Sequence, residues 1–150
     1  AGVDAGTGLV HSITVTGANV HDLDEITHLV RPDDEVVYAD AGYQGVEKRP
    51  EVNRDAHLSQ VTWRVAARKG VVKTMHPHEQ AIESRKASVR AKVEHVFLIL
   101  KRDFGFTKTR YRGLAKNLNQ LQVAMASANL LMIARAQTIQ TKLTAAVTTG

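Results

Sequence analysis

The spacing of apolar residues changes near residue 78, and this change constrains the fold more than any other feature of the sequence. From there to about residue 104, apolar residues recur every three or four positions, which is typical of an amphipathic helix. A second such pattern covers residues 114–135. Upstream, short β-rich runs alternate with turns that contain glycine or proline. The sequence therefore predicts one α/β domain with its strands in the first half and its long helices in the second.

The individual elements follow from local composition. Val10, Ile13 and Val15 are good strand formers, and Gly6 and Gly8 favour a turn before them. We predict a hairpin from residues 1–5 and 9–16, strands at 35–39 and 61–67, a short helix at 22–30, an irregular connection at 68–77 and long helices at 78–104 and 114–135. The domain then covers residues 1–135, and residues 136–150, rich in Thr, Ala and Gln, form a flexible tail.

Charge is distributed unevenly along the chain. The net charge is +5, but residues 1–80 carry −4 and residues 81–118 carry +7. Such segregation favours an anionic partner for the basic segment, most simply a nucleic acid backbone. A solvated basic helix face explains the same charges equally well.

Composition excludes several other classes of protein. The chain has no cysteine, so disulfides, thiolate metal ligands and a cysteine nucleophile are excluded. No apolar run approaches the ~20 residues needed to span a bilayer, and no secretory signal is visible. We therefore expect no membrane partner and a cytoplasmic location.

Two acidic residues are candidates for a metal site. Asp40 follows the predicted strand 35–39 and precedes a glycine-bearing loop, which is where α/β sheets place ligand-binding groups. Glu94 lies on the predicted helix in one stripe with Arg90 and Lys101. Carboxylates from a strand end and a facing helix suit hard cations such as Mg²⁺, and nearby cations suit phosphates.

Each acid also has a purely structural interpretation. Glu94 can form an intrahelical ion pair with Arg90, worth only ~0.2–0.5 kcal/mol at this spacing. Asp40 can stabilise its own turn by a hydrogen bond to the following loop. Both interpretations stay open at this point.

Histidines give weaker signals. His76 and His78 flank Pro77, and we interpret them as loop residues because no third ligand lies at helical spacing nearby. His95 neighbours Glu94 but points roughly 100° away on the helix, which leaves its role open.

Several linked segments resemble the DDE transposases of bacterial insertion sequences. Asp-Ala-Gly-Tyr-Gln-Gly at residues 40–45 is similar to the segment around the second acid of that family. Arg90, Glu94 and Lys101 are similar to its Tyr-Arg-Glu-Lys signature around the third acid. Further likeness is found at residues 3–11, 16–20, 93–97, 101–105 and 110–117, so the resemblance covers roughly residues 1–135.

This resemblance implies a ribonuclease-H-like fold, a mixed sheet flanked by helices, together with Mg²⁺- or Mn²⁺-dependent DNA cleavage and strand transfer. Carried over by position, Asp40 and Glu94 are catalytic metal ligands, and Arg90 and Lys101 contact DNA near the scissile phosphate. Weaker candidates for contacts to the DNA backbone are Lys108, Arg110, Arg112 and Lys116.

The chain departs from the family pattern in two places. Ala87 stands where the signature has its Tyr, so one contact near the DNA is expected to be absent. The family's first acid lies on the first strand, which is expected upstream of Ala1, and Asp4 is the nearest substitute. We therefore expect the sheet to lack its first strand, with a gap and two unpaired strand edges, and expect the isolated chain to be an inactive fragment.

The sequence leaves three functions to distinguish. The chain is an active DNA transposase core, a non-catalytic DNA-binding remnant that uses residues 85–116, or a fragment that pairs through its strand edges with a full-length transposase. DNA is the expected partner in the first two cases. Self-association into a homo-oligomer is left open by the sequence.

Overall fold

Two small sheets and two long helices make up most of the structure, a computed structural model that describes residues 1–148 apart from the side chains of Asp22 and residues 146–148. The first sheet pairs β1 (Gly2–Val3) antiparallel with β2 (Val10–Ser12). The second pairs β3 (Val36–Ala39) parallel with β4 (Thr62–Val65). The hairpin and the two later strands are confirmed, but each is shorter than predicted. The strands form two separate sheets, which agrees with the gap that we expected in the middle of the mixed sheet.

The helices differ widely in length. Three are short: α1 (Ile26–Leu29), α2 (Pro50–Arg54) and α3 (Lys69–Val72). Two are long: α4 (Pro77–Asp103) and α5 (Leu114–Thr148). Single 3-10 turns lie at Asp22–Glu25, Ala41–Tyr43, Val46–Lys48 and Leu58–Gln60. The predicted helix at 22–30 is thus a 3-10 turn followed by α1, and α3 corrects the prediction that residues 68–77 are wholly irregular.

Local capping sets both ends of α4. The His76 ring accepts a hydrogen bond from His78 N–H at 3.3 Å, and the Glu79 carboxylate accepts one from His76 N–H at 3.0 Å. Pro77 occupies the first helical position, where a missing N–H costs nothing. After Asp103, Gly105 adopts a positive φ of 62°, which ends the helix. His76 therefore caps the helix, a role more specific than that of a loop residue.

The last helix is longer than the sequence predicted. α5 continues past Arg135 to Thr148, so the predicted end of this helix at residue 135 is wrong. Residues 149–150 lie outside the described residues. The Thr138 and Thr141 hydroxyls donate to the carbonyls of Ala134 and Gln137, each four residues earlier, so these threonines satisfy their own polar groups within the helix. Among the described residues, no helix has the combined length and apolarity needed to cross a bilayer.

Two apolar clusters form the core. In the first, α4 packs against α5 and against the hairpin, with Val96, Ile99, Leu100, Met125 and Ala128 buried. In the second, Ile26, Val46, Val52 and Leu58 are buried, with Trp63 of β4 packed against them. The first cluster comes from helical periodicity, whereas the second is assembled from short turns.

Side chains from the long helices cover the outer edges of both sheets. The Asn129 amide accepts from Val10 N–H at 2.9 Å and donates to Val10 C=O at 2.8 Å, so it pairs with β2 as a strand would. At β4, the Lys86 ammonium donates to Val65 C=O at 3.0 Å, and the Glu83 carboxylate accepts from Ala67 N–H at 2.9 Å. These contacts fix α5 to the first sheet and α4 to the second.

Candidate active site

A cleft of about 570 Å³ separates the two sheets. Residues 1–5 at β1 line one side, residues 36–40 at β3 line another, and α4 contributes Val89, Arg90, Val93, Glu94 and Phe97. Helix α4 contacts both β1 and β3, so it spans the gap between the sheets. The strand-end acid and the helix acid singled out from the sequence thus line the same cleft.

Asp40 reaches the cleft because it directly follows β3. Its Oδ1 accepts a hydrogen bond from Gly42 N–H at 2.8 Å and so starts the 3-10 turn Ala41–Tyr43. A Cβ at residue 42 would lie 3.0 Å from this oxygen, so glycine leaves room for the turn. The turn-stabilising interpretation of Asp40 is confirmed for one oxygen. Oδ2 has no partner among residues 1–148 and is available to a ligand.

Glu94 projects from the middle of α4 and is exposed. Arg90 lines the same cleft, yet within the described part of the chain neither residue forms an ion pair within 4.0 Å. The intrahelical Arg90–Glu94 pair is therefore not formed. Both Glu94 oxygens and the Arg90 guanidinium are left available for other partners.

Most of the chain matches one known protein family. A family model described as the transposase DDE domain matches residues 1–130. The chain belongs to the DDE transposase family. No solved structure matches it. The matched segment contains both cleft acids and ends within α5.

Asp4, the nearest substitute for the family's first acid, does not form a metal-ligand group with Asp40 and Glu94. Asp4 lies in the lining of the same cleft, but its Oδ1 accepts from Thr7 N–H at 2.6 Å and from the Thr7 hydroxyl at 2.7 Å. These hydrogen bonds, with Arg31 nearby, hold the pKa of Asp4 below its ordinary value. Asp4 thus stabilises the hairpin turn. Among the described residues, no group of three His, Cys, Asp or Glu side chains converges as a metal site requires.

Several basic residues of the DDE domain are exposed on α4, in the loop that follows it and at the start of α5. Lys101 lies seven residues after Glu94 on α4, about 10 Å along the axis at 1.5 Å per residue. Five basic side chains are exposed and form no ion pair within residues 1–148: Lys101, Lys108, Arg110, Arg112 and Lys116. By contrast, Arg102 and Arg135 both bind Asp103, and the Arg102 hydrogen bond is the main reason that the pKa of Asp103 falls to about 2. The unpaired cations are therefore the ones available to an anionic partner.

An asparagine orders the basic loop. Asn117, buried at the start of α5, accepts from Tyr111 N–H at 3.3 Å and donates to the carbonyls of Tyr111 and Gly113 at 2.7 and 2.8 Å. The backbone on both sides of Arg112 is thereby fixed to α5. The sequence placed Asn117 in the family motif but did not reveal this role.

Lys92 and His95 of the DDE domain lie near each other on α4, and the sequence did not reveal the contacts of either one. Lys92 donates to the carbonyls of Ala5 and Gly6, the latter at 2.7 Å, and so ties α4 to the hairpin turn. His95 lines a second, smaller hollow with Lys92 and Met132, away from the carboxylate cleft. The expectation that His95 points away from Glu94 is confirmed.

Proposed function

We propose that this chain is the core of a DNA transposase whose cleft carboxylates, Asp40 and Glu94, hold divalent metal ions for DNA strand cleavage and strand transfer. The observation that carries the proposal is their convergence on one cleft in a chain of the DDE family. They come from a strand end and from a helix, and each has oxygens without a partner among the described residues. The two separate sheets support the further proposal of a ribonuclease-H-like fold that lacks its first strand.

The donor set suits a hard cation. Carboxylate oxygens are the ligands that Mg²⁺ and Mn²⁺ prefer, and Mg²⁺ usually binds through one or two carboxylates while it keeps several waters. Such an ion, when bound, activates a water or a 3′-hydroxyl and stabilises the leaving oxygen of the phosphodiester.

The chain's own residues would position the DNA. Arg90 lies in the cleft lining beside Glu94 and would bind the phosphate next to the scissile bond. Lys101 and the ordered loop that carries Arg110 and Arg112 would hold the backbone farther along, with Lys116 at the start of α5. Contacts of this kind fix the position of a duplex without reading its sequence.

Metal-dependent nicking of supercoiled DNA tests this proposal. An active core nicks supercoiled DNA with Mg²⁺ or Mn²⁺, whereas the inactive fragment expected from the missing first acid does not. Asp40→Asn and Glu94→Gln should each lose nicking by about a hundredfold or more, because such catalysis depends mainly on stabilising the charge that develops at the reacting phosphate. Glu47→Gln is the matched control, because Glu47 is exposed and lies outside the cleft. Nicking that survives in either cleft variant would refute the assignment of that residue.

A second function is favoured by two observations. The described residues assemble no three-ligand metal cluster, whereas Lys101, Lys108, Arg110, Arg112 and Lys116 are exposed and form no ion pair among them. A DNA-binding remnant without catalysis fits both facts. Together with Arg90, the five exposed and unpaired cations give six possible phosphate contacts. If all six form, a plot of log Kd for DNA against the logarithm of the salt concentration should have a slope of magnitude about 5.

Two variants separate the remnant from the enzyme. Arg110→Ala combined with Arg112→Ala should reduce that salt slope by about 2, because two counterion-releasing contacts are lost. Glu94→Gln should leave DNA affinity unchanged or slightly improved. If the chain does not nick DNA but binds it with this salt dependence, it is a DNA-binding remnant. If its affinity for DNA does not depend on salt, this function is excluded.

A further inference from the structure

Tyr111 is more exposed than any other aromatic side chain among residues 1–148. It is 52% exposed, whereas Trp63 packs on the second core and Phe106 packs on the first. Its hydroxyl has no hydrogen-bond partner in that part of the chain. A single exposed apolar side chain is ordinary on a protein surface, so the surroundings of the ring decide what its exposure means.

The backbone that carries Tyr111 is held in place. The buried Asn117 side chain accepts from Tyr111 N–H at 3.3 Å and donates to Tyr111 C=O at 2.7 Å, so one amide binds both backbone groups of this residue. At the other end of the loop, Phe106 packs on the first core and its N–H donates to Leu100 C=O at 3.0 Å. A ring on a fixed backbone loses less conformational freedom when a ligand covers it. Tyr111 is therefore both exposed and preorganised.

The charges around Tyr111 are all of one sign. Residues 104–116 contain four cations and no acidic residue. All four are exposed and form no ion pair within residues 1–148: Lys108, Arg110, Arg112 and Lys116. Arg110 and Arg112 directly flank Tyr111 in the sequence. The ligand that suits this loop carries several negative charges and also presents a flat face to the ring. A nucleic acid strand has both properties.

The ring can stack on a base only where that base has left the double helix. Within a duplex, the faces of each base are covered by its neighbours, and a surface side chain meets phosphates or groove edges instead. A base that is unpaired offers a free face, and proteins commonly bind such a base by stacking an aromatic side chain on it. The exposed ring of Tyr111 thus favours an unpaired base as its ligand.

The loop lies within reach of DNA that occupies the cleft. Helix α4 ends at Asp103, nine residues after Glu94, which is roughly 13 Å along the axis at 1.5 Å per residue. At 3.4 Å per base pair, this length corresponds to about four base pairs. One DNA end is therefore long enough to contact both the carboxylates and the loop.

We propose that Tyr111 is a stacking platform for one unpaired DNA base, with Arg110 and Arg112 holding the phosphates on either side of it. The choice of DNA rests on the proposed function, but stacking requires neither a metal ion nor the cleft carboxylates. The platform gives the chain a preference for DNA that is frayed or distorted a few base pairs from the cleft. It therefore recognises the state of the DNA in addition to its charge.

Two DNA probes of equal charge test the platform on the full chain in EDTA. The first is a dye-labelled duplex of about 20 base pairs with one extra, unpaired thymidine in one strand. In the second, the extra nucleotide is abasic, so its phosphate is kept and its base is missing. By fluorescence anisotropy, we expect the thymidine probe to bind at least about fivefold more tightly, the value of one stacked base. Equal affinity for the two probes would overturn the proposal.

Salt provides a check on this ratio. Both probes release the same number of counterions, so each affinity should fall as salt rises from about 50 to 200 mM while their ratio stays constant. A ratio that fell to one over this range would mean that charge, and not stacking, causes the preference.

Variants of the chain locate the ring. Tyr111→Ala should remove the preference for the thymidine probe, and Tyr111→Phe should keep it because the ring is retained. Loss in both variants would assign the contact to the hydroxyl and overturn the proposal. Phe104→Ala is the matched control, because Phe104 is 40% exposed and precedes the same loop. If Phe104→Ala removed the preference and Tyr111→Ala kept it, the platform would not be Tyr111. Circular dichroism should show that all three variants keep the fold.

Nuclear magnetic resonance of ring-labelled tyrosines observes the stacked base directly. The thymidine probe should move the Tyr111 ring-proton signals upfield relative to the abasic probe, because a stacked base shields the ring. The signals of Tyr38 and Tyr43 should be the same with both probes. Identical Tyr111 signals with the two probes would contradict stacking.

The outcomes separate this proposal from the proposed function. Base-dependent binding without nicking supports the platform and counts against the catalytic role, whereas nicking with equal affinity for the two probes does the reverse. If the chain binds neither probe, both proposals fail. An acidic peptide with as many charges is the rival ligand. If Tyr111→Ala weakened binding of that peptide as much as binding of the thymidine probe, the ring would serve a protein partner and the platform would be refuted.

Discussion

The two apolar cores of this transposase domain are built in different ways, and the candidate site lies between them. In the first core, two long helices pack together over many turns. In the second, residues come from helices and turns of three to five residues. Val3 of the cleft lining packs on the first core, whereas Ile26 and Val30 belong to the second.

This difference matters because each core positions one of the two acids. Glu94 is carried by α4, whose buried face forms part of the first core. Asp40 follows β3, and Trp63 and Val65 of its partner strand β4 pack on the second core. The sheets themselves are not hydrogen-bonded to each other within residues 1–148. The separation of the two carboxylates therefore depends on the contacts of α4 with β3 and on the Lys86 and Glu83 links to β4.

Matched leucine truncations should give the largest effect and distinguish the cores. Leu100→Ala, at a position with no exposed surface, should lower the free energy of unfolding by about 2–5 kcal/mol, whereas Leu58→Ala, 4% exposed and on a short turn, should cost about 2 kcal/mol because its surroundings collapse more easily. Urea unfolding measures both. Equal losses would show that the cores are equally well packed.

The link between α5 and the hairpin should give the next largest effect. Asn129→Ala leaves Val10 N–H and C=O without their partner, which should cost about 1–3 kcal/mol. Asn119 on the same helix is exposed and forms no side-chain hydrogen bond within residues 1–148, so Asn119→Ala is the control. Faster hydrogen exchange at Val10 in the first variant alone would confirm the role of the amide. Normal exchange there would contradict it.

Acid should weaken the link between α4 and the second sheet. Burial by itself raises the pKa of Glu83, but hydrogen bonds from Lys86 and Ala67 N–H outweigh it and leave the pKa below its ordinary value. Ionised Glu83 therefore stabilises the fold above about pH 4.3, its usual pKa when unfolded, and this contribution is lost as pH falls through the lower folded pKa.

The pH dependence of one variant checks this. Glu83→Gln should be less stable than the parent chain at pH 7, by about 1–2 kcal/mol, since a hydrogen-bonded charge is lost. The difference should shrink as pH falls below about 4.3. A difference that stays constant down to about pH 3 would mean that the carboxylate charge does not contribute.

The distal part of α5 should give the smallest effect. Ile139 is 60% exposed, so Ile139→Ala should change the free energy of unfolding by no more than about 0.5 kcal/mol. Ile99→Ala, fully buried on α4, is the matched control and should cost about 2–5 kcal/mol. If Ile139→Ala lowered the free energy of unfolding by more than about 1.5 kcal/mol, this face of α5 would be covered in solution.

Features fixed by local patterns were predictable from the sequence. The helical spacing and Gly105 predicted α4 to within two residues at each end, and the glycine-bearing turn predicted the hairpin. Asp40 and Glu94 were singled out by their positions after a strand and on a helix and were then paired by the resemblance to the DDE family, and the family match confirms that resemblance. The periodicity of apolar residues does not by itself show that a strand end and a helix distant in sequence lie close together in the fold.

Features that depend on distant contacts were missed. Asn129 pairs with Val10 across 119 positions, and Lys92 reaches Gly6 across 86. No local pattern marks either contact, because each depends on how the helices dock on the hairpin. The end of α5 was placed too early, since Thr-rich composition suggested a tail where hydroxyls hydrogen-bond within the helix.

Mn²⁺ binding followed by electron paramagnetic resonance tests most directly whether Asp40 and Glu94 form one site. We expect saturable binding to the parent chain, and at least about a tenfold loss of affinity in Asp40→Asn and in Glu94→Gln. The double variant should be little worse than either single one, because ligands of one site act together. Unchanged Mn²⁺ affinity in either single variant would contradict the shared site.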